Sequence, residues 1–129
     1  MVDIRKHFHF YTYDKSKNKL LEGERFTCTD GYAHNQILSI NVINNDTPVD
    51  ISQYTVRFLV TSIQDGKEYM QTNLIDMSNA INGVIVITLS PLLKNFPGAY
   101  EGKVILDSYV TQDKIIIKPI EYYVFLEDY

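Results

Sequence analysis

The chain has no tryptophan, a single cysteine, no surplus of positive charge and no long apolar run. Each absence removes a class of function. The lone Cys28 cannot close an internal disulfide, which excludes a disulfide-built secreted scaffold. It lies in an alternating stretch with no base or cationic cluster beside it in sequence, so it reads as a small buried hydrophobe and not as a reactive thiol. Sixteen Asp and Glu against twelve Lys and Arg give a net charge of −4. Nucleic-acid binding needs the opposite balance, because cationic side chains must displace counterions from phosphates. No apolar stretch approaches the ~20 residues that cross a bilayer, and Met1-Val2-Asp3-Ile4-Arg5-Lys6-His7 has no apolar signal core behind it. A chain kept in the cytosol, or assembled into a particle there, is expected, with neither nucleic acid nor membrane as partner. P-loop, G-x-G-x-x-G, G-x-S-x-G and H-E-x-x-H motifs are all missing. Neither enzymatic activity nor a cofactor is expected.

What is present is β-structure. The 129 residues fit one domain, and a domain of this size buries roughly two-thirds of its unfolded surface. Ten Tyr and six Phe form a β-rich aromatic profile, since flat rings pack well on pleated sheets. Apolar residues recur with period two: Phe8 and Phe10; Leu38, Ile40 and Val42; Val56, Phe58 and Val60; Ile85, Ile87 and Leu89; Val104 and Leu106; Tyr122, Val124 and Leu126. Turn residues separate the runs, at Asn44-Asn45-Asp46-Thr47-Pro48, Asp65-Gly66, Pro97-Gly98 and Thr111-Gln112-Asp113-Lys114. Asn82-Gly83 predicts a tight hairpin, because both residues tolerate positive φ. Helix is scarce; Ser90-Pro91-Leu92-Leu93-Lys94-Asn95 offers a single capped turn. The expected fold is an all-β, Ig-like antiparallel sandwich of about seven to nine strands. The polar stretch Asp14-Lys15-Ser16-Lys17-Asn18-Lys19 divides an N-terminal arm, residues 1–22, from a sandwich domain, residues 23–129.

Few residues suggest chemistry. His7 and His9 share one face of a strand, ~6.5–7 Å apart along it. Such a pair chelates a metal given a further ligand, and His34 is the remaining histidine. The alternative is a polar outer face opposite Phe8 and Phe10, and no metal site is expected. Asp76, Glu101, Asp107 and Glu121 form a catalytic pair only if folding brings two of them together; scattered surface acids are the simpler reading. Asn45-Asp46-Thr47 matches a glycosylation acceptor but serves better as turn residues before Pro48.

More informative is an excess of apolar side chains. Ile115-Ile116-Ile117 and Tyr122-Tyr123-Val124-Phe125-Leu126 are apolar on both strand faces, whereas the outer face of a lone sandwich is usually polar. Either the arm or a loop covers the second face, or a neighbouring subunit does. Phe8, Phe10, Tyr11 and Tyr13 add an aromatic arm, and tyrosine-rich patches favour protein interfaces. Phe8, Phe10, Tyr11, Tyr13, Ile116, Tyr123 and Phe125 are the candidate partner-binding residues. The arm is expected to add a strand to a partner's sheet edge. On that reading, deleting residues 1–20 weakens assembly and leaves the fold intact.

One family combines these fragments in order. Asn41-Val42-Ile43-Asn44-Asn45-Asp46-Thr47-Pro48-Val49-Asp50-Ile51-Ser52-Gln53-Tyr54-Thr55-Val56-Arg57-Phe58, followed by Asp65-Gly66-Lys67, resembles the N-terminal domain of phage upper baseplate proteins (BppU-like). Asn82-Gly83-Val84-Ile85-Val86-Ile87-Thr88-Leu89 is similar to the family's glycine-led strand. Phe96-Pro97-Gly98-Ala99-Tyr100-Glu101-Gly102-Lys103-Val104 is similar to its G-x-Y strand. The likeness covers about residues 22–127. Its physics is that of a scaffold: Pro48 sets the loop, Asp50 and Ser52 bond nearby backbone amides, and Ile51 plugs the core. The resemblance implies an Ig-like sandwich that docks on the tail hub and helps carry host-recognition proteins in the virion, as a homo-oligomer beside tail-hub, receptor-binding or capsid proteins. Members of the family continue into a helical stalk and a trimerising region, whereas this sequence stops at Glu127-Asp128-Tyr129. A head-associated anchor or capsid decoration protein therefore stands as an alternative. A carbohydrate-binding module is a second alternative, supported by the many Tyr and opposed by the absence of Trp.

Overall fold

Alternation of apolar and polar residues produces strands almost everywhere in the computed structural model of the chain, which describes residues 8–29, 36–71, 75–89 and 98–125. The expectations placed on His7, His34, Leu126 and the helical turn at residues 90–95 lie outside those residues, as do the side chains of Cys28 and Phe125. In chain order the strands are β1 (Phe8–Asp14), β2 (Lys19–Glu22), β3 (Phe26–Thr29), β4 (Ile37–Asn44), β5 (Thr47–Pro48), β6 (Tyr54–Ser62), β7 (Glu68–Gln71), β8 (Ile75–Asp76), β9 (Val84–Thr88), β10 (Gly98–Ser108) and β11 (Lys114–Phe125). One sheet has the order β2-β1-β4-β9-β8, with β5 folded back on β4; the other has the order β3-β11-β10-β6-β7. The expected sandwich is present, with the two-residue β5 and β8 as minor additions.

Both sheets contribute inward-facing residues to one core. Leu38, Ile40, Val42, Ile85 and Ile87 from the first meet Phe58, Val60, Val104, Leu106, Ile117 and Ile120 from the second, all with no exposed surface. Two pairings are parallel, β1 with β4 and β3 with β11, so both sheets are mixed. The chain makes the β1–β2 hairpin, crosses to the second sheet as β3, and returns as β4 alongside β1. Period-two patterning is the same in either direction.

Most turns follow their residues. Asn45 (φ 52) and Asp46 (φ 69) make the β4–β5 turn, and Gln112 (φ 62) lies in the β10–β11 connection. Asn82-Gly83 behaves differently from the tight hairpin its composition predicts. Ala80–Asn82 forms one turn of 3-10 helix, and Gly83, at φ 78, ends it. The Gly83 carbonyl then accepts from Val42 N at 2.8 Å, fixing the turn to β4. Among the described residues no helix is long and apolar enough to cross a membrane.

The largest correction concerns the arm. Phe8–Asp14 lies inside the first sheet, between β2 and β4, and pairs with β4 over its whole length. Its last residue is an anchor. Asp14, nearly fully buried, accepts from Ser16 N (2.9 Å), Ser16 Oγ (2.6 Å) and Asn45 N (3.2 Å). Next to it, Lys15 Nζ reaches Asp113 Oδ2 at 2.9 Å, and the Tyr54 hydroxyl donates to the same oxygen at 2.8 Å. The turn after β1 is thereby tied to the β10–β11 connection of the opposite sheet.

These contacts set an acid response. The Ser16 hydroxyl holds the Asp14 carboxyl below its usual value of 3.8, and Lys15, then Tyr54, does the same for Asp113. A carboxyl whose folded value is lowered stabilises the fold fully above its unfolded value and loses that effect as pH falls through the folded one. The urea midpoint is therefore expected to hold down to pH ~4 and fall below it. Asp14→Asn should flatten that fall. An unchanged acid slope in this variant would remove Asp14 from the account.

Candidate docking site

Strand β1 carries the aromatic residues singled out in the sequence, and its two faces are opposite to the simplest expectation. His9, Tyr11 and Tyr13 point into the sandwich, while Phe8 and Phe10 stand outside. The reason is hydrogen bonding. The Tyr11 hydroxyl donates to the Glu24 carbonyl at 2.9 Å, and the Tyr13 hydroxyl donates to Asn18 Oδ1. His9 Nε2 donates to Gln36 Oε1 at 2.7 Å. Inward rings with polar tips find partners at the sheet edge, where phenylalanine would leave those acceptors unused. His9 also starts a column of rings bridging the sheets. It stacks on Phe26 at 4.0 Å, Phe26 on Tyr122 at 5.0 Å, and Tyr122 lies 5.5 Å from Tyr100.

The candidate partner-binding set therefore divides. Tyr11 and Tyr13, 2% and 3% exposed, belong to the core and are not available to a partner. Phe10 is 66% exposed and Phe8 38%, on the outer face of the first sheet. Ile116 and Tyr123, both nearly two-fifths exposed, are on the outer face of the second sheet, so the two pairs do not form one patch. Part of the apolar excess on β11 is met internally: Ile115, Ile117, Ile120 and Tyr122 face the core. Ile105, the outer-face partner of Ile116 on β10, is also buried.

Beside Phe8 and Phe10 the sheet has a notch. Strand β2 pairs with β1 only at Thr12, Tyr13 and Asp14. After Glu22 the chain leaves the first sheet, crosses at residues 23–25 and becomes β3 of the second. Gly23 makes the crossing possible. Its φ of 143 is one that L side chains rarely adopt, and a Cβ there would fall 2.0 Å from Tyr11 Cδ1. The departure leaves a cleft of ≈ 400 Å³ lined by Phe8, His9, Phe10, Phe26 and residues 22–25.

The backbone edge along this cleft is defined by alternation. Lys15 N donates to Ile43 O across the β1–β4 ladder at 2.7 Å. The β1–β4 register is unbroken from Phe8 to Asp14, so main-chain groups of the odd-numbered residues face β4. Those of Phe8, Phe10, Thr12 and Asp14 face the other way. Thr12 and Asp14 meet β2. Among the described residues, no strand pairs with Phe8 and Phe10 on that side.

Folding brings two of the four candidate acids together. Glu101 and Glu121 are cross-strand partners. Asp107 faces Arg57 Nη2 at 3.2 Å and Lys114 Nζ at 3.9 Å, and Asp76 accepts from Ser78 N at 2.8 Å. Among the described residues no group of three His, Cys, Asp or Glu is placed to hold a metal ion. Asn45-Asp46-Thr47 is the β4–β5 turn and the start of β5. Sequence reasoning missed the exposed Ile63, Ile81, Tyr109 and Val110. They lie in connections, where no periodicity marks a face.

The sequence model described as the BppU N-terminal domain matches residues 9–123 of the chain. The match begins within β1, at residue 9, well ahead of residue 22. Among solved structures, the N-terminal domain of phage TP901-1 ORF48 is similar at a TM-score of 0.57 and 15% sequence identity, over 94% of this chain and 98% of that one. None of the curated proteins compared with the chain matches it.

Proposed function

Since the chain belongs to the BppU N-terminal domain family, we propose that it is a tail baseplate component or adaptor that docks to other virion subunits and supports host attachment. Its role is structural and not catalytic, and it works in several copies within the particle. The observation that carries the docking role is the outward placement of Phe10, 66% exposed, beside Phe8 on a strand paired with β4 over its whole length. An aromatic residue on a firm strand is a suitable anchor for a partner. Covering a phenylalanine fully is worth about 1.5–3 kcal/mol, and such anchors dominate interface energetics.

Mass spectrometry and cryo-EM of purified particles test the reading. The protein is expected in the tail, at a contact burying more than ~1,000 Å² in total. Phe10→Asp should leave stability within ~0.5 kcal/mol of wild type, as for an exposed position, and lower incorporation into particles at least about tenfold. Absence of the wild-type protein from particles overturns the proposal. Equal incorporation of Phe10→Asp moves the contact away from this face.

A further inference from the structure

We propose that the edge of β1 at Phe8 and Phe10, unpaired among the described residues, is a strand-acceptor site, which takes an extended basic segment of another virion polypeptide by β-strand addition. The proposal rests on the docking role above and names the chemistry of the partner. Three observations support it. The main-chain groups of Phe8 and Phe10 point away from β4, on a line that β2 occupies next to Thr12–Asp14 and then leaves. Donors and acceptors repeating every second residue, ~6.5–7 Å apart, are matched by the backbone of another strand. The ≈ 400 Å³ cleft lies where the departing chain has vacated that line.

Side chains set the flanks. A residue paired opposite Phe10 would place its side chain beside the exposed ring on the outer face. Its neighbours would point into the cleft towards His9 and Phe26. This favours an alternating sequence with one face apolar. The rim selects charge: Glu22 and Glu24 oppose the single Arg25, and the whole chain carries −4. A second copy would bring the same acids and the same net charge, whereas lysine or arginine in the incoming strand complements them.

The test uses the full chain labelled for NMR and a short capped peptide alternating lysine and valine. The peptide is expected to shift the Phe8 and Phe10 amide signals and slow their hydrogen exchange. N-methylation of alternate peptide amides, or replacement of its lysines by glutamates, should weaken binding at least about tenfold. Phe10→Pro removes an edge N–H that the β1–β4 ladder does not use, and should weaken the unmodified peptide similarly. The methylated peptide keeps the test valid if that variant fails to fold. No response at Phe8 and Phe10, or equal binding of the methylated or acidic peptide, overturns the proposal. Dimerisation with protection of the same amides also overturns it, by assigning the edge to a second copy. Particle incorporation separates this inference from the function it rests on. Wild-type protein present in particles with no peptide response removes the strand-acceptor site alone, whereas absence from particles removes the docking role whatever the peptide does.

Discussion

A chain lacking residues 1–20 is expected to show no cooperative urea transition and no near-UV tyrosine signal from packed rings. The deletion removes β1 and with it Tyr11 and Tyr13, both in the core. Losing one large buried aromatic side chain costs about 3–5 kcal/mol, so the pair approaches the whole stability of ~5–15 kcal/mol expected of a domain. The deletion also strips the partner from the edge of β4 and removes the first ring of the His9–Phe26–Tyr122 column. Circular dichroism and urea titration of the truncated protein decide the matter. A sharp transition with native tyrosine signals would return this segment to the status of a dispensable arm.

The second large effect is at Gly83. A Cβ there would lie 2.5 Å from the Val42 carbonyl oxygen and 2.9 Å from that of Val49. Both are backbone atoms, so no side-chain rotation relieves the clash. The left-handed φ adds about 1–2 kcal/mol to an overpacking cost of about 1–3 kcal/mol. Gly83→Ala should therefore lower stability by about 2–5 kcal/mol in urea titration. Gly66→Ala is the control: its φ is also positive, 71, but its Cβ meets nothing within 4 Å. Only the conformational part, about 1–2 kcal/mol, should appear there. If the two variants lose equal stability, close packing around the 3-10 turn has no part in the effect.

The β-architecture was legible because its causes are local. Alternation at Leu38-Ile40-Val42 and at Val104-Leu106 marks strands buried on one face. Asn45, Asp46 and Gln112 take the positive φ that turn composition demands. What was not legible depends on distant residues. Whether Phe10 or Tyr11 faces inward is a choice between two period-two frames of one segment, and it is decided by acceptors at Asn18 and Glu24. Gly83 tolerates positive φ in a hairpin and at the end of a 3-10 turn alike; the bond from Val42 N and the nearby Val49 backbone distinguish the two. The candidate site is a notch in a backbone ladder. It exists because β2 ends at Glu22, and no side-chain motif records it.

The parallel pairing of β3 with β11 also governs timing. Phe26 is the ladder partner of Tyr122, which puts 122 − 26 = 96 residues between them. At synthesis rates of ~5–20 residues per second, the early strand emerges from the ribosome roughly 5–20 s before its mate. Throughout that interval Phe26 has no Tyr122 to stack on, and the second sheet stays open beside the crossing that shapes the cleft. A nascent chain thus cannot offer the finished notch before Tyr122 has left the ribosome.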